Sequence, residues 1–242
     1  MDVQLRNFRR KGKTLVKKRA LIYNCCMEQK TKEILEILSE EFPSPKSELV
    51  FGSPFELLVA VILSAQCTDK RVNQVTPELF AVADTPQKMA ALPDEKLEKL
   101  IFSCGFYKNK ARFLKEMSRD LIERFGGQVP DNLEQLRSLS GVGRKTANVV
   151  YAVAFGGQAI AVDTHVFRVA NRLGLAHAKN VLDTEKQLCE AIDRELWADS
   201  HHYLLLHGRY VCKSQRPDCS VCRLKALCEF YASGENKSKE KN

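Results

Sequence analysis

Apolar residues recur three and four positions apart along almost the whole of this chain, a spacing that suits helices and little else. Lys32 to Phe42 carries Ile34, Leu35, Leu38 and Phe42 on one stripe and stops at Pro43. Ser53-Pro54 reads as an N-cap followed by proline at the first helical position. The run Phe55 to Leu63 behind it is apolar on all sides, which predicts a central, buried helix. Leu97 to Phe102 is a further helix, ended by Gly105. Tyr107 to Phe125 is another, with Leu114, Met117, Leu121 and Phe125 at helical spacing and Gly126-Gly127 as its stop. Beyond Pro130-Asp131 the pattern predicts a short helix, a glycine turn and a second helix from Arg144 to Phe155. Helices around Asp163 to Leu173 and Thr184 to Leu196 follow, and one more runs from about Ser200 into a group of cysteines. Alternating patterns are scarce; Ala159 to Val162 is the best strand candidate and is very short. The predicted class is all-α.

No apolar run approaches the roughly 20 residues that cross a bilayer, so no membrane partner is expected. The 242 residues carry a formal net charge of +8. That excess suits a polyanion, because each Lys or Arg set against a phosphate releases counterions, though solubility alone can account for mild basicity. Eight Lys or Arg lie between Arg6 and Arg19 with no acid among them. This segment (residues 1–27) reads as a dispensable basic tail; a nucleic-acid-binding arm, an organelle transit peptide or an over-extended start with initiation at Met27 are the other readings. Nine cysteines, an odd number, without a secretory signal argue for a reducing compartment rather than a disulfide framework.

Leu139-Ser140-Gly141-Val142-Gly143-Arg144-Lys145 sets two glycines in a tight turn that opens a helix. Glycine permits positive φ and lets a phosphate approach the backbone, and the new helix's N–H groups and dipole favour that anion. Such a helix–hairpin–helix grips a DNA backbone without reading sequence. A plain αα-hairpin that needs glycine to turn is an equal competitor; Arg144 and Lys145 just after the turn favour DNA.

Cys212, Cys219, Cys222 and Cys228 form C-x6-C-x2-C-x5-C, four thiols within seventeen residues. By spacing alone a structural zinc and a [4Fe–4S] cluster compete closely, although a single C-x2-C departs from the usual pair of zinc knuckles. Lys213 and Arg216, between the first two cysteines, are candidates for meeting DNA phosphates, with solvated charge as the plainer reading. Cys25, Cys26, Cys67, Cys104 and Cys189 read as packing residues.

LSGVGRKTANVV, followed by VDTHVFRVANR, LSAQCTD (Leu63 to Asp69), HHYLLLHGRYVC (His201 to Cys212) and the cysteine group together resemble the endonuclease III family of DNA glycosylase/AP lyases, over about residues 30 to 230. The resemblance implies that the cysteines hold a [4Fe–4S] cluster with a structural role. It implies that Lys145 is the nucleophile, attacking the sugar C1′, expelling the base, and leaving a Schiff base whose β-elimination breaks the strand on the 3′ side. The local chemistry agrees: attack needs a neutral amine, and the first turn of a helix disfavours an ammonium. Without the resemblance, a lysine beside such a turn more commonly binds phosphate. Asp163 is the implied partner that stabilises positive charge and moves protons; before Thr-His-Val it is also a good N-cap, and both roles are compatible with a fixed, ionised carboxylate.

An enzyme acting on a base must extrude it from the duplex. By the same resemblance Gln66 fills the gap and Phe106 wedges the opposite strand, where the family often carries leucine. The plainer readings are a polar helix end for Gln66 and a core aromatic for Phe106. Ser64 and Asp69 are expected to support that loop, and His165 and Arg168 to make supporting or phosphate contacts.

The expected architecture is two helical domains with a DNA groove between them: a six-helix domain (47–157) carrying the hairpin, and a helical iron–sulfur domain from 28–46 plus 158–230, followed by a charged tail (231–242). The expected function is a bifunctional base-excision repair glycosylase for oxidised pyrimidines, a monomer in the bacterial cytoplasm with the nucleoid, bound to double-stranded DNA with a damaged pyrimidine or an abasic site. Two alternatives remain. A monofunctional mismatch glycosylase is opposed by Lys145 and by the chain ending soon after the cluster; a non-catalytic DNA-binding module with a structural metal is opposed by the combination of Lys145, Asp163 and Gln66.

Overall fold

The computed structural model describes residues 27–234; the basic segment, Cys25, Cys26 and the end of the charged tail lie outside the described residues. Among the described residues regular structure is wholly helical. The α-helices are α1 (27–41), α2 (Pro54–Leu63), α3 (Asp69–Val82), α4 (Pro86–Ala91), α5 (Asp94–Ile101), α6 (Tyr107–Phe125), α7 (Leu133–Arg137), α8 (Arg144–Phe155), α9 (Thr164–Leu173), α10 (Val181–Ala191), α11 (Trp197–Tyr210) and α12 (Glu229–Ala232).

The chain divides into two compact units. One comprises Pro45–Val166 and Arg194–His202 and holds α2 to α8. The other takes the residues up to Ser44, Phe167–Asp193 and those from Tyr203 onward, with α1, α10, α12 and the larger part of α9 and α11.

In the first of these units α2 is the centre. Ser53 caps it, its side chain accepting the Glu56 N–H at 3.2 Å, and Pro54 starts it. Every residue from Phe55 to Leu63 except Glu56 is buried, so the helix packs on several sides at once, against α3, α6 and α8. The long α6 carries α4 and α5, and α7 packs on α8. Helix α3 is the longest of those the apolar pattern conceals, with the short α4 and α12. Its buried residues, Val72, Val75, Thr76 and Leu79, keep helical spacing, but one is a threonine and Pro77 lies inside the helix. Thr68 caps it, accepting the Arg71 N–H at 3.2 Å.

Two expectations change in detail. Ala159 to Val162 is buried but forms no strand, because no second strand exists among the described residues to pair with it. A side-chain amide takes up one of its carbonyls instead: Asn148 Nδ2 donates to Ile160 O at 2.9 Å. The helix expected over Thr184 to Leu196 starts earlier and stops earlier, at Val181–Ala191, with a separate 3-10 turn at Arg194–Leu196. Asn180 is the true cap, its Oδ1 accepting the Asp183 N–H at 2.9 Å. Thr184 lies inside the helix, buried, with its hydroxyl turned back to the Asn180 carbonyl at 2.9 Å.

In the second unit α1 buries Ile34, Leu35 and Leu38; Phe42, the fourth residue of the stripe read from the sequence, lies just past the helix and is half-buried.

Leu58, fully buried on α2, is the sharpest test of that centre. Leu58→Ala is expected to cost about 3 kcal/mol of unfolding free energy, measured as a fall in the urea midpoint. A loss below about 1 kcal/mol would place the core elsewhere.

Candidate active site

The glycine turn joins α7 to α8 and is held from below. Val142 is buried in the core, its N–H bonded to Leu139 O at 3.1 Å, and Ser140 N–H donates to Asp120 Oδ2 on α6 at 2.8 Å. Gly141 has φ +74°, and a Cβ there would stand 2.7 Å from Phe113 Cβ. Both its backbone angle and its space therefore require glycine. Gly143 is different: its φ is −81°, and a Cβ there would meet nothing within 4 Å. As N-cap of α8 it has no side chain to cap the first turn. The exposed surface here, Gly141, Gly143, Arg144 and Lys145, thus presents a helix start suited to an anion.

Lys145 sits in the first turn of α8 and is exposed. The apolar surroundings that would favour a neutral amine are therefore not supplied by this unit's own side chains around it. Asp163 immediately precedes α9 and caps it: Oδ1 accepts the His165 and Val166 N–H groups, each at 2.8 Å. Both bonds fall on one oxygen, which fixes the carboxylate.

Lys145 and Asp163 meet electrostatically at His201. This histidine is 3% exposed. Burial, then the neighbouring His202, push its imidazole down to about 3, Lys145 acting in the same direction and Asp163 and a hydrogen bond to the Ala161 backbone opposing. Its Nδ1 has no hydrogen-bond partner among the described residues, so Nε2 makes the backbone bond. His202 stacks on it edge-on with centroids 4.9 Å apart and bonds through Nδ1 to Ala198 O at 2.9 Å.

Asn148, one turn along α8 from Lys145, is 2% exposed. Its Oδ1 accepts from Arg137 on α7 at 3.1 Å while its Nδ2 holds Ile160. Asn148 and His201 thus pin consecutive carbonyls, Ile160 and Ala161, of the segment that delivers Asp163.

Gln66 and Phe106 lie in the turns after α2 and before α6, both exposed. Among the described residues only Gln66, Phe106 and Arg216 are non-glycine residues with positive φ, at 53°, 59° and 50°. Phe106 is 65% exposed, as is Phe102, so it is no core aromatic. Ser64 turns its hydroxyl back to Val61 O at 2.9 Å, closing α2, and Asp69 opens α3.

The cysteine segment belongs to the other unit. Cys212, Cys219, Cys222 and Cys228 line one small cavity, closed by Leu173, Phe230 and Tyr231. Burial, reinforced by the other three cysteines, pushes the Cys222 thiol up to about 11. Among the described residues no group of three or more His, Cys, Asp or Glu side chains is arranged to hold a metal ion. Arg172 organises the loop, donating to Cys212 Sγ at 3.3 Å, Lys213 O at 2.8 Å and Ser214 O at 3.0 Å. Arg168 donates to Cys212 O at 3.0 Å and Gly208 O at 2.7 Å. Lys213 and Arg216 are exposed on this loop.

A family model for HhH-GPD superfamily base excision DNA repair proteins matches residues 59–194. Endonuclease III of Haemophilus influenzae is 50% identical over 203 residues, 83% of this chain and 96% of that protein. The Escherichia coli endonuclease III is 48% identical over 201 residues, 83% and 95% of the two chains. The chain belongs to the endonuclease III family. The solved structure of a trapped endonuclease III–DNA covalent intermediate matches it with a TM-score of 0.82 at 47% identity, over 86% of this chain and 98% of that one. As a member of this family the chain is a base-excision repair enzyme, a DNA glycosylase and abasic-site lyase, and DNA is its partner.

Within this chain, Lys145, Asp163 and the hairpin fall in one compact unit. His165 contributes its backbone N–H to the Asp163 cap, and Arg168 holds the cysteine loop. Sequence reasoning passes over Asn148, His201, Arg172 and Phe102. The first two sit inside LSGVGRKTANVV and HHYLLLHGRYVC as polar residues on largely apolar helices, which is the signal that marks them.

Gly141→Ala is expected to destabilise by about 2 kcal/mol or more, whereas Gly143→Ala costs under about 1 kcal/mol; equal losses in urea unfolding would contradict the hairpin geometry. His201 gives a pH test. Unfolded, it takes a proton near 6.5, folded only near 3, so the unfolded state binds more protons between those values. Its contribution is complete above about 6.5 and is lost as pH falls toward 3, by up to about 1.4 kcal/mol per pH unit. Unfolding measured between pH 7.5 and 5 should steepen below 6.5, and less so in His201→Gln.

Proposed function

We propose that this enzyme removes oxidised pyrimidines from duplex DNA and then cleaves the strand 3′ to the abasic site, with Lys145 as nucleophile and Asp163 as its oriented carboxylate. The observation that carries the reading is the placement of Lys145 on an exposed, uncapped helix start, with Asp163 held by its own cap and both within the field of one buried histidine.

Because Lys145 is exposed on the free protein, bound DNA is what removes water from it. Desolvation and the positive end of α8 then both favour the neutral amine. The amine attacks C1′ of the extruded nucleotide, the base leaves with its bonding electrons, and loss of the C2′ proton from the resulting Schiff base drives the 3′ phosphate out. Asp163 Oδ2 stabilises positive charge on the sugar and accepts and returns protons. A neutral His201 adds no cation beside Lys145 and keeps Asp163 in place through Ala161. Gly141, Gly143 and Arg144 grip phosphate, Gln66 and Phe106 occupy the hole left by the extruded base, and a base–aromatic contact at Phe106 adds roughly 1–3 kcal/mol.

The four cysteines suit a [4Fe–4S] cluster. The four thiols line one cavity, and Arg172 donates to one sulfur, as hydrogen-bond donors to cluster sulfurs do. When bound the cluster supplies rigidity, holding the loop that presents Lys213 and Arg216 to phosphates. No helix among the described residues is long and apolar enough to cross a membrane; the reading places the enzyme as a monomer in the bacterial cytoplasm with the nucleoid.

Borohydride trapping tests the reading, on a duplex with one thymine glycol or abasic site. A covalent protein–DNA adduct is expected from the native chain and at least about a hundredfold less from Lys145→Ala. Undiminished trapping in the variant would move the nucleophile elsewhere; no adduct from cluster-loaded, DNA-binding native protein would leave a monofunctional glycosylase.

A further inference from the structure

Three ionisable groups that the glycosylase and lyase steps leave unused lie together beside the turns of Gln66 and Phe106. Cys104 is fully buried in the core, and Cys67, half-buried, packs against that same core. Each is a free thiol, and Cys67 is close enough to Cys104 to act on its charge. Lys110, 4% exposed, donates from Nζ to the Leu63 carbonyl at the end of α2, at 2.7 Å, with its charge felt by Cys104 and both sulfurs felt by it. The two turns are close in their backbones as well: a Cβ on Gly105 would lie 3.9 Å from Gln66 O. Cys67 directly follows Gln66, and only Gly105 separates Cys104 from Phe106.

We propose that Cys67 and Cys104 form a redox modification site, a dithiol that a peroxide converts into a disulfide tying the Gln66 turn to the Phe106 turn. Cys67 is the sulfur that solvent reaches. Its thiolate attacks one oxygen of hydrogen peroxide; the O–O bond breaks, giving a Cys67 sulfenic acid, and the departing hydroxide is protonated to water. The Cys104 sulfur then attacks the Cys67 sulfur, the S–S bond forms as the S–O bond breaks, and the departing hydroxide takes the Cys104 proton as a second water. The two thiols lose two protons and two electrons and the peroxide is reduced to two waters. Burial first of all pushes the Cys104 thiol up to about 11, which suits it to the second, resolving step rather than to first attack. The Lys110 ammonium favours charge on the Cys104 sulfur as it attacks.

An S–S bond of about 2.05 Å is shorter than any contact between two unbonded sulfurs, so closing it draws the two turns together. Gln66 and Phe106 then move relative to one another, and DNA contacts set by their spacing weaken. That consequence rests on their proposed place in the DNA; the disulfide does not.

The test uses the cluster-loaded protein. After brief exposure to hydrogen peroxide and alkylation of the remaining thiols, mass spectrometry of a non-reducing digest should find the Cys67 and Cys104 peptides joined, two hydrogens lighter than their sum and separated again by dithiothreitol. In Cys104→Ser, dimedone should label Cys67 as the stranded sulfenic acid; Cys67→Ser, at the half-buried position, should leave Cys104 unoxidised. Recovery of both cysteines alkylated in the oxidised native protein would overturn the proposal. The oxidised protein should bind a duplex with an uncleavable abasic analogue at least about threefold more weakly than the reduced protein, and Cys104→Ser should show no such change. A bridged protein with unchanged affinity would uphold the modification site and count instead against the DNA-facing reading of Gln66 and Phe106.

Discussion

One buried amide ties together the elements that carry Lys145 and Asp163. Asn148 is almost wholly out of solvent, and a buried amide must find partners for both its oxygen and its nitrogen. It finds them on two other pieces of chain: Arg137 at the end of α7 and Ile160 in the segment before Asp163. Because Asn148 lies one turn along α8 from Lys145, satisfying its own hydrogen bonds relates the helix of Lys145 to the segment of Asp163 and to the start of the hairpin. His201 repeats the device at the next carbonyl, and its burial keeps it neutral in the neighbourhood of a lysine. Rigid placement of few groups by many surrounding ones is what positions reacting atoms.

Backbone strain is distributed in the same purposeful way. Left-handed φ costs a non-glycine residue roughly 1–2 kcal/mol, and here it falls on Gln66, Phe106 and Arg216, three side chains read as meeting DNA. Each follows or precedes a well-packed element: Gln66 leaves α2, Phe106 opens α6, and Arg216 lies in a loop clasped by Arg172. The packing of those elements holds residues in conformations that an isolated turn would leave, and it keeps a large aromatic ring, 65% exposed, out in solvent. Such outliers concentrate where a protein contacts something else.

In the cysteine segment the organising group is again a buried donor rather than a ligand. Arg172 commits one guanidinium to Cys212 Sγ and two carbonyls of the following loop, and its face lies over the Phe230 ring with 4.5 Å between guanidinium carbon and centroid. Arg168, one turn earlier on α9, completes the clasp. Two arginines that could be mistaken for phosphate binders in a basic protein are consumed in shaping the loop, and the exposed cations of that loop are Lys213 and Arg216.

Helical spacing, caps and stops were legible from local chemistry. Ser53-Pro54 opens α2, the Gly141 to Gly143 turn separates α7 from α8, and Asp163 caps α9, because each depends on residues a few positions apart. The apolar run Phe55 to Leu63 announced its own burial, and the order of motifs announced the family. Sequence could not decide which capping residue wins when two stand a turn apart, as Asn180 does over Thr184, since that depends on what the helix buries. It could not show that Ala159 to Val162 lacks a strand to pair with, nor that Phe106 faces water. Above all, the meeting of Asn148, His201 and Asp163, and of Cys67 with Cys104, joins positions tens of residues apart. Local chemistry decides which way each short segment folds; only the shared core decides which buried polar groups are left to satisfy one another.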